Sequence, residues 1–331
     1  MPANQSTSAV SDNLRTLPWK EGTKPLMLAP LQGLTNRAMR ALFIDWVCPD
    51  TVFTEFMRVS SVSRKNLARN DLKEVASTAG DVPLVTQLVG NNSKALVAAV
   101  RKAEAAGARH INLNMGCPYG RMTTGATGGA MLQHPEMLAE IIPALRNAIT
   151  GSFSIKLRAG YDDPEQIFSL LPLFASADVD FLVLHPRTVV QKYAGSADHS
   201  ITGRVIRETT LPVIANGDIR SAVEGLRILE TTGAAGLMLG RGAIADPLLF
   251  ERLRNRSTKE PTEAETKDML HRYLHDLLIR YSELFCGERQ ILDKTKNVVA
   301  FIDDPAFTKL VSKMKRAKSI VTLTALIDTI K

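Results

Sequence analysis

No stretch of this 331-residue chain approaches the ~18 consecutive apolar residues that a membrane-spanning helix needs, so no membrane association is expected. The opening residues, MPANQSTSAVSDNLRTLPWKEG, lack the apolar centre of a secretory signal, and residues 1–23 are expected to form a disordered N-terminal tail. Cysteine is scarce. Cys48, Cys117 and Cys286 are odd in number and far apart, which argues against a disulfide framework and fits a reducing, cytoplasmic setting. The three cysteines and six histidines show no close spacing of the Cys-x-x-Cys kind, so no metal is expected. Internal repeats and low-complexity tracts are also missing. Neither sign of charge dominates: 41 Lys and Arg against 34 Asp and Glu leave +7, which permits a polyanionic partner without requiring one.

What is present is an ordinary globular composition, 45% hydrophobic and 23% charged, with a recurring pattern between residues 24 and 254. Short apolar runs begin at Pro25, Thr51, Pro83, His110, Phe153, Phe181, Pro212 and Ala235, mostly separated by helical patterns. Continuous apolar runs suit parallel strands buried on both faces. Leu138, Ile141, Ile142 and Leu145 repeat at helical spacing, as do Ile167, Leu170, Leu171 and Phe174. Pro135 and Pro164 suit a first helical turn, and Ser221 with Glu224 suits a capping box. Eight strands alternating with helices predict a (β/α)₈ TIM barrel over residues 24–254 rather than an open doubly wound sheet. From about Thr262 the strand-like runs stop and amphipathic helices remain, one of them starting at Asp304-Pro305. A smaller all-α domain is therefore expected over residues 262–331.

Barrel chemistry sits at the C-terminal ends of the strands. Those ends carry Gln32, Thr54-Glu55, Gln87, Asn114 with Cys117, Lys156 with Arg158, His185 with Arg187, Asn216-Gly217-Asp218, and Gly240-Arg241-Gly242. Each alone is more often a structural hydrogen-bonder, an apolar filler or a plain turn; together they would converge on one mouth. The glycines in the last two loops allow close approach of a ligand, and Arg241 with nearby N–H groups suits a phosphate. At this level flavin mononucleotide (FMN) and a sugar phosphate remain equally good occupants.

The same residues resemble the dihydrouridine synthases over about residues 25–250. The matching elements are Ala29-Pro30 with Gly33, Thr54-Glu55, Asn114-Met115-Gly116-Cys117-Pro118 and Lys156-Leu157-Arg158-Ala159-Gly160. They continue with His185-Pro186-Arg187-Thr188, Val213 to Asp218, and Gly240-Arg241-Gly242-Ala243. Any one is weak, but their joint occurrence in this order is specific. The resemblance implies an FMN barrel followed by a helical tRNA-binding domain, with NADPH as reductant. It places Pro30, Leu31, Gln32, Gln87, Lys156, His185, Asn216, Gly217, Asp218, Gly240 and Arg241 around the flavin. It assigns Cys117 as the acid that protonates C5 of a uracil while hydride reaches C6. A thiol suits that role because it is still protonated near neutral pH. Asn114 and Arg187 would border the substrate together with Arg58 and Arg121; whether His185 serves flavin or uracil is left open.

Arg121 stands where lysine is common four residues after the cysteine, and Pro186 where glycine is frequent. Thr54 to Arg58 and the Gly125 to Ala130 loop resemble the C-type bacterial enzymes, which modify D-loop position 16. From Glu251 to Lys331, 16 Lys and Arg against 12 Asp and Glu give +4 of the total +7. Lys309, Lys313, Lys315, Arg316 and Lys318 form the densest cluster, and Arg289, Lys294 and Lys296 a second; an RNA contact and a solvated face are about equally expected there. A monomer acting on tRNA without a protein partner is the expectation. The rivals are another FMN barrel oxidoreductase acting on a small molecule (dihydroorotate dehydrogenase-like or an ene reductase), a non-catalytic tRNA-binding barrel, and a plain phosphate-binding metabolic barrel. Turnover of free pyrimidine or enone without RNA would mark the first.

Overall fold

The computed structural model describes residues 15–63, 65–76, 80–119 and 125–330. Eight strands form its centre: β1 (Leu26–Leu28), β2 (Thr51–Phe53), β3 (Leu84–Val89), β4 (His110–Met115), β5 (Ser152–Gly160), β6 (Phe181–Thr188), β7 (Val213–Asn216) and β8 (Gly236–Leu239). Each pairs in parallel with the next. The ring closes where β1 pairs with β8, Met27 opposite Met238, and where β2 pairs with β3, Val52 opposite Leu84. Each of the eight apolar runs holds one of these strands. A further two-residue bridge, Met57–Arg58, extends the edge of β3.

The period of two along each strand decides what faces inward. Met27, Phe53, Val85, Phe181, Val183, Ile214 and Met238 fill the barrel interior. Their neighbours Leu26, Leu28, Leu182, Leu184, Val213 and Leu237 point out to the helices. Continuing the inward series toward the C-terminal ends reaches Gln87, Asn114, Lys156, His185 and Asn216. Sequence alternation thus stacks a polar layer on an apolar one, and Asn114, Lys156, His185 and Asn216 of this layer form the floor of the site.

The barrel helices are α1 (Arg37–Val47), α2 (Arg69–Ala76), α3 (Ser93–Ala105), α4 (Pro135–Ala148), α5 (Gln166–Ser176), α6 (His199–Glu208), α7 (Ala222–Thr232), α8 (Arg241–Ala245) and α9 (Leu249–Arg254). The helical repeats in α4 and α5 are buried as their spacing requires. Ser221 and Glu224 form the capping box of α7. Pro135 opens α4, whereas Pro164 lies two residues before α5 and outside its first turn.

The expected tail is a different matter at its described end. Leu17 and Trp19 pack against the apolar interior, Trp19 meeting Phe181 edge-on at 4.9 Å. The Thr51 hydroxyl donates to the Pro18 carbonyl, and Arg15 pairs with Asp178 at 2.7 Å and Asp180 at 3.2 Å. The physical reason is that the lower end of a filled barrel exposes apolar side chains that need a cover. Residues 15–23 are therefore a cork; residues 1–14 of the expected tail lie outside the described residues.

Helices α10 (Glu263–Leu284), α11 (Glu288–Val299), α12 (Thr308–Arg316) and α13 (Ile320–Ile327) follow, with short 3₁₀ turns at Pro305–Phe307 and Asp328–Ile330. Asp304 caps the first of these turns just before α12. These helices share one apolar cluster with the barrel: Leu42 and Phe43 of α1 join Tyr273, Leu274 and Leu277 of α10. Trp46 donates to Asp276 at 2.8 Å, and Arg280 pairs with Asp45 at 2.8 Å. No described helix is long and apolar enough to cross a membrane.

Candidate active site

A cavity of about 510 Å³ opens at the C-terminal ends of the strands. Pro30, Leu31, Gln32, Asn114, Cys117, Lys156, His185, Asn216, Gly217, Asp218, Gly240 and Arg241 all line it, as the sequence led one to expect. Gln87, Arg187 and Arg58 do not.

Gln87 is fully buried beneath the floor. Its Nε2 donates to Asn112 Oδ1 at 2.8 Å, and its Oε1 accepts from Asn114 Nδ2 at 2.8 Å. Asn112 donates in turn to the Ser154 hydroxyl at 2.8 Å, and Thr54 accepts from the Gln87 backbone. Asn114 Oδ1 receives the backbone N–H groups of Gly116 at 3.1 Å and Cys117 at 3.0 Å. A chain of side-chain amides therefore runs from the barrel interior to the Cys117 loop. Asn114 retains one N–H without a partner among the described residues, available to a ligand. On the other side of that loop, Arg158 Nε donates to the Gly116 carbonyl at 2.9 Å and Gly129 N–H to the Cys117 carbonyl at 3.0 Å. A side chain at Gly129 would come within 2.6 Å of Val189. The half-buried Cys117 thiol is thus held by its backbone from two sides.

Arg187 corrects the expectation of a substrate contact. It is 2% exposed, and each of its nitrogens is spent on the protein. Nη1 and Nη2 grip the two oxygens of Asp218 at 3.0 and 2.6 Å, Nε donates to Ala194 O, and Nη2 also to Gly195 O. Nη1 lies 3.1 Å from His185 Nε2. Because a guanidinium only donates, His185 accepts at Nε2 and carries its proton on Nδ1. Burial, together with the charges of Lys156, Arg158, Arg187 and Arg241, pushes His185 well below its usual value, so the ring is neutral at pH 7.

Asp218, in the left-handed region at φ 48°, also accepts from Arg241 at 3.1 Å and from the Ala197 N–H at 2.8 Å. Burial works to raise its carboxyl, but the hydrogen bonds from Arg187 and Ala197 outweigh this and hold it below the ordinary range. Lys156 donates to Asn216 Oδ1 at 2.9 Å, and burial followed by Arg158 lowers its ammonium to about 8. Four cations, Lys156, Arg158, Arg220 and Arg241, thus line the cavity against one carboxylate, Asp218, and the wall is built for an anion. Gly217 sits at φ +124°, and a Cβ there would press on His185 at 2.7 Å. The turn can only be glycine, which leaves its backbone open to the cavity.

Two features escaped sequence reasoning. Tyr193 lies over Arg241 at 4.5 Å and near Arg158 at 5.3 Å, and it stacks with Tyr119 at 5.9 Å across the mouth. The other is a tie between the β1–α1 loop and the helical region: Gly33 N–H donates to Glu55 at 2.9 Å and Lys294 donates to the Gly33 carbonyl at 3.2 Å. Burial raises the Glu55 carboxyl above its usual value. Lys294 and Lys296, which bonds the Ala317 carbonyl at 2.9 Å, are therefore structural, and the second basic group reduces to Arg289. Lys309, Lys313, Lys315, Arg316 and Lys318 are all exposed. Arg58 is exposed beside Phe56, a wall residue, at 5.8 Å, while Arg121 lies outside the described residues. A larger concavity of about 720 Å³ lies between α8, α9 and α10, away from the strand-end polar layer, with Asp246, Glu260 and Glu265 on its wall.

Residues 27–322 match the family model described as dihydrouridine synthase. A tRNA-dihydrouridine(16) synthase of Vibrio parahaemolyticus is 31% identical, covering 78% of this chain and 80% of its own. A tRNA-dihydrouridine(16) synthase of Vibrio vulnificus is 30% identical over 75% and 80%. The tRNA-dihydrouridine synthase B of Pseudomonas putida is 31% identical over 75% and 74%. Among solved structures, morphinone reductase in complex with tetrahydroNAD aligns with a TM-score of 0.52 at 13% identity, covering 73% of this chain and 90% of that one; the likeness is one of fold. With a family match across nearly the whole chain and relatives aligned over most of their lengths, the chain belongs to the dihydrouridine synthase family.

Proposed function

We propose that this chain reduces uridine in tRNA to 5,6-dihydrouridine, using FMN in the strand-end cavity and NADPH as the source of electrons. The observation that carries the reading is a single mouth in which Cys117 faces a wall of four cations and one carboxylate. The fit of FMN is supported by size and chemistry. About 510 Å³ lies within the range of ~300–1,000 Å³ usual for such ligands, and the Gly217 turn and Gly240 leave backbone open beside Arg241. Bound there, FMN supplies the hydride that saturates C6 of the base.

The remaining work falls to the chain. Arg241 and the Asn216 to Asp218 turn hold the phosphate, with Pro30, Leu31, Gln32 and Gly240 shaping the wall around the cofactor. Lys156, protonated at pH 7 with its value near 8, stabilises negative charge on the reduced ring system. Neutral His185 offers its Nδ1–H and adds no charge. Gln87 holds Asn114, and Asn114 aims the Cys117 backbone and keeps one N–H for the uracil. Cys117 delivers its proton to C5.

The uracil must leave its stack to reach a cavity of this depth, so recognition rests on RNA shape and phosphates. The exposed lysines of α12 and Arg58 at the rim suit that contact. Position 16 of the D-loop is the favoured site, on the names of the Vibrio relatives, and the cytoplasm, where tRNA is modified, is the place of action. The test is nucleoside mass spectrometry of an unmodified tRNA transcript after incubation with the flavin-loaded chain and NADPH. Dihydrouridine at position 16 is expected. Turnover of free uracil or an enone, with none of tRNA, would overturn the reading in favour of a small-molecule flavin barrel.

A further inference from the structure

Helix α10 carries His271 and His275 one turn apart, so both imidazoles project from the same face. Their ring centroids are 4.6 Å apart. Asp328 arrives at that face from the start of the last 3₁₀ turn, 53 residues along the chain from His275. Its Oδ1 lies 2.9 Å from His275 Nε2 and 3.7 Å from His271 Nε2, and the candidate ligand atoms of all three residues lie within 4.8 Å of one another. None of the three belongs to the strand-end cavity.

We propose that His271, His275 and Asp328 bind a divalent transition metal ion, with Zn²⁺ the occupant that suits them best, and that this ion clasps the C-terminal turn to α10. Ligands about 2.0–2.1 Å from a tetrahedral zinc stand roughly 3.4 Å from each other, and the two distances from Asp328 bracket that value. A second observation concerns His271 alone. Its Nε2 is out of contact with solvent and has no hydrogen-bond partner among the described residues, which is rare for a buried ring nitrogen. Such a nitrogen is satisfied by a hydrogen-bond partner or an ion, and Asp328 Oδ1, at 3.7 Å, stands beyond hydrogen-bond reach.

The scaffold on both sides is firm. Tyr273, Leu274 and Leu277 anchor α10 in the shared core, while Ile327 and Ile330 bury the flanks of Asp328. Three protein ligands leave one coordination position for water. Side-chain exposures of 23%, 33% and 50% for His271, His275 and Asp328 give that water and the ion a way in. Two imidazoles and a carboxylate are a borderline-soft donor set, which favours Zn²⁺, Co²⁺ or Ni²⁺ over Mg²⁺ or Ca²⁺. The ion is structural here: the site involves no electron transfer and no substrate.

The test uses the full chain after chelator treatment, titrated with Co²⁺ and then Zn²⁺ against a chromophoric chelator. Cys48 and Cys286 are exposed thiols that can take metal by themselves, so the readout is the difference between wild type and the H271Q/H275Q variant. Wild type should bind one more equivalent of Co²⁺, without a sulfur-to-cobalt charge-transfer band. Its Zn²⁺ affinity should fall at least about tenfold in H275Q and in D328N. Excess Zn²⁺ should raise the unfolding midpoint of wild type by a few degrees and leave the double variant unmoved. Equal stoichiometry and affinity in wild type and the folded double variant would overturn the proposal. So would a metal complex showing only the thiolate band.

Discussion

Replacing Arg187 with methionine separates a residue that positions the site from one that touches substrate. The side chain is 2% exposed and holds Asp218 with two hydrogen bonds of 3.0 and 2.6 Å. Removing one partner of a fully buried pair costs about 3–5 kcal/mol, because the other charge stays behind. Here the cost is smaller. Asp218 is 32% exposed and retains Arg241 and the Ala197 N–H, and the Ala194 and Gly195 carbonyls lie on an exposed loop where water replaces the guanidinium. A loss of about 2–3 kcal/mol is the resulting expectation. With an unfolding entropy near 2.1 cal/mol/K per residue, a chain of this length loses roughly 3–4 °C of midpoint for that energy. The freed Asp218 then draws Arg241 away from the anion, so flavin content after gel filtration should fall in the same variant. Arg187→Lys should not rescue it, since one ammonium cannot span both carboxylate oxygens and two carbonyls. Thermal unfolding and flavin absorbance on the same samples provide the readout. An unchanged midpoint and flavin content, with KM for tRNA alone raised, would refute the positioning role and return Arg187 to the substrate.

Cys117→Ala should keep its flavin and its NADPH oxidation but lose uridine reduction by about 10²-fold or more, measured by single-turnover reoxidation with tRNA. FMN affinity should decline as pH rises above about 8, by up to about tenfold per pH unit. The ammonium of Lys156 loses its proton near 8 in the free chain and at higher pH beside an anion; fluorescence titration of FMN should show the slope in wild type and none in Lys156→Met. Gly129→Ala should cost about 1–3 kcal/mol and lower kcat, because its Cβ meets Val189 at 2.6 Å and the Cys117 carbonyl at 3.1 Å. Reversing Lys313, Lys315 and Arg316 to Glu should weaken tRNA binding and flatten its salt dependence while flavin content stays constant.

The barrel was legible because its two periods are written in residue type. Short runs such as Phe181 to His185 suit strands buried on both faces, and the α4 and α5 repeats fix the helices between them. Depth was not legible. Gln87 and Arg187 are the right residue types at the right strand ends, but the pleat and the loops above them set one below the floor and lock the other on Asp218. Composition marked residues 15–23 as tail because nothing local shows that Trp19 covers the end of a barrel. Tyr119 and Tyr193 meet from the loops after β4 and β6, a pairing with no spacing to betray it. His271 and His275 show helical spacing in the sequence, but Asp328 is brought to them only by the fold.

The chain has two tryptophans, and each sits at a joint. Trp19 seals the base of the barrel against Phe181, while Trp46 bridges α1 and α10 through Asp276 and Tyr273. Neither lines the strand-end cavity. Intrinsic emission is therefore a built-in gauge of assembly, read separately from chemistry. A Trp46→Phe chain glows only from its base, and a Trp19→Phe chain only from the seam between barrel and helices. In the second, denaturant would reveal whether the helices detach before the barrel opens or together with it.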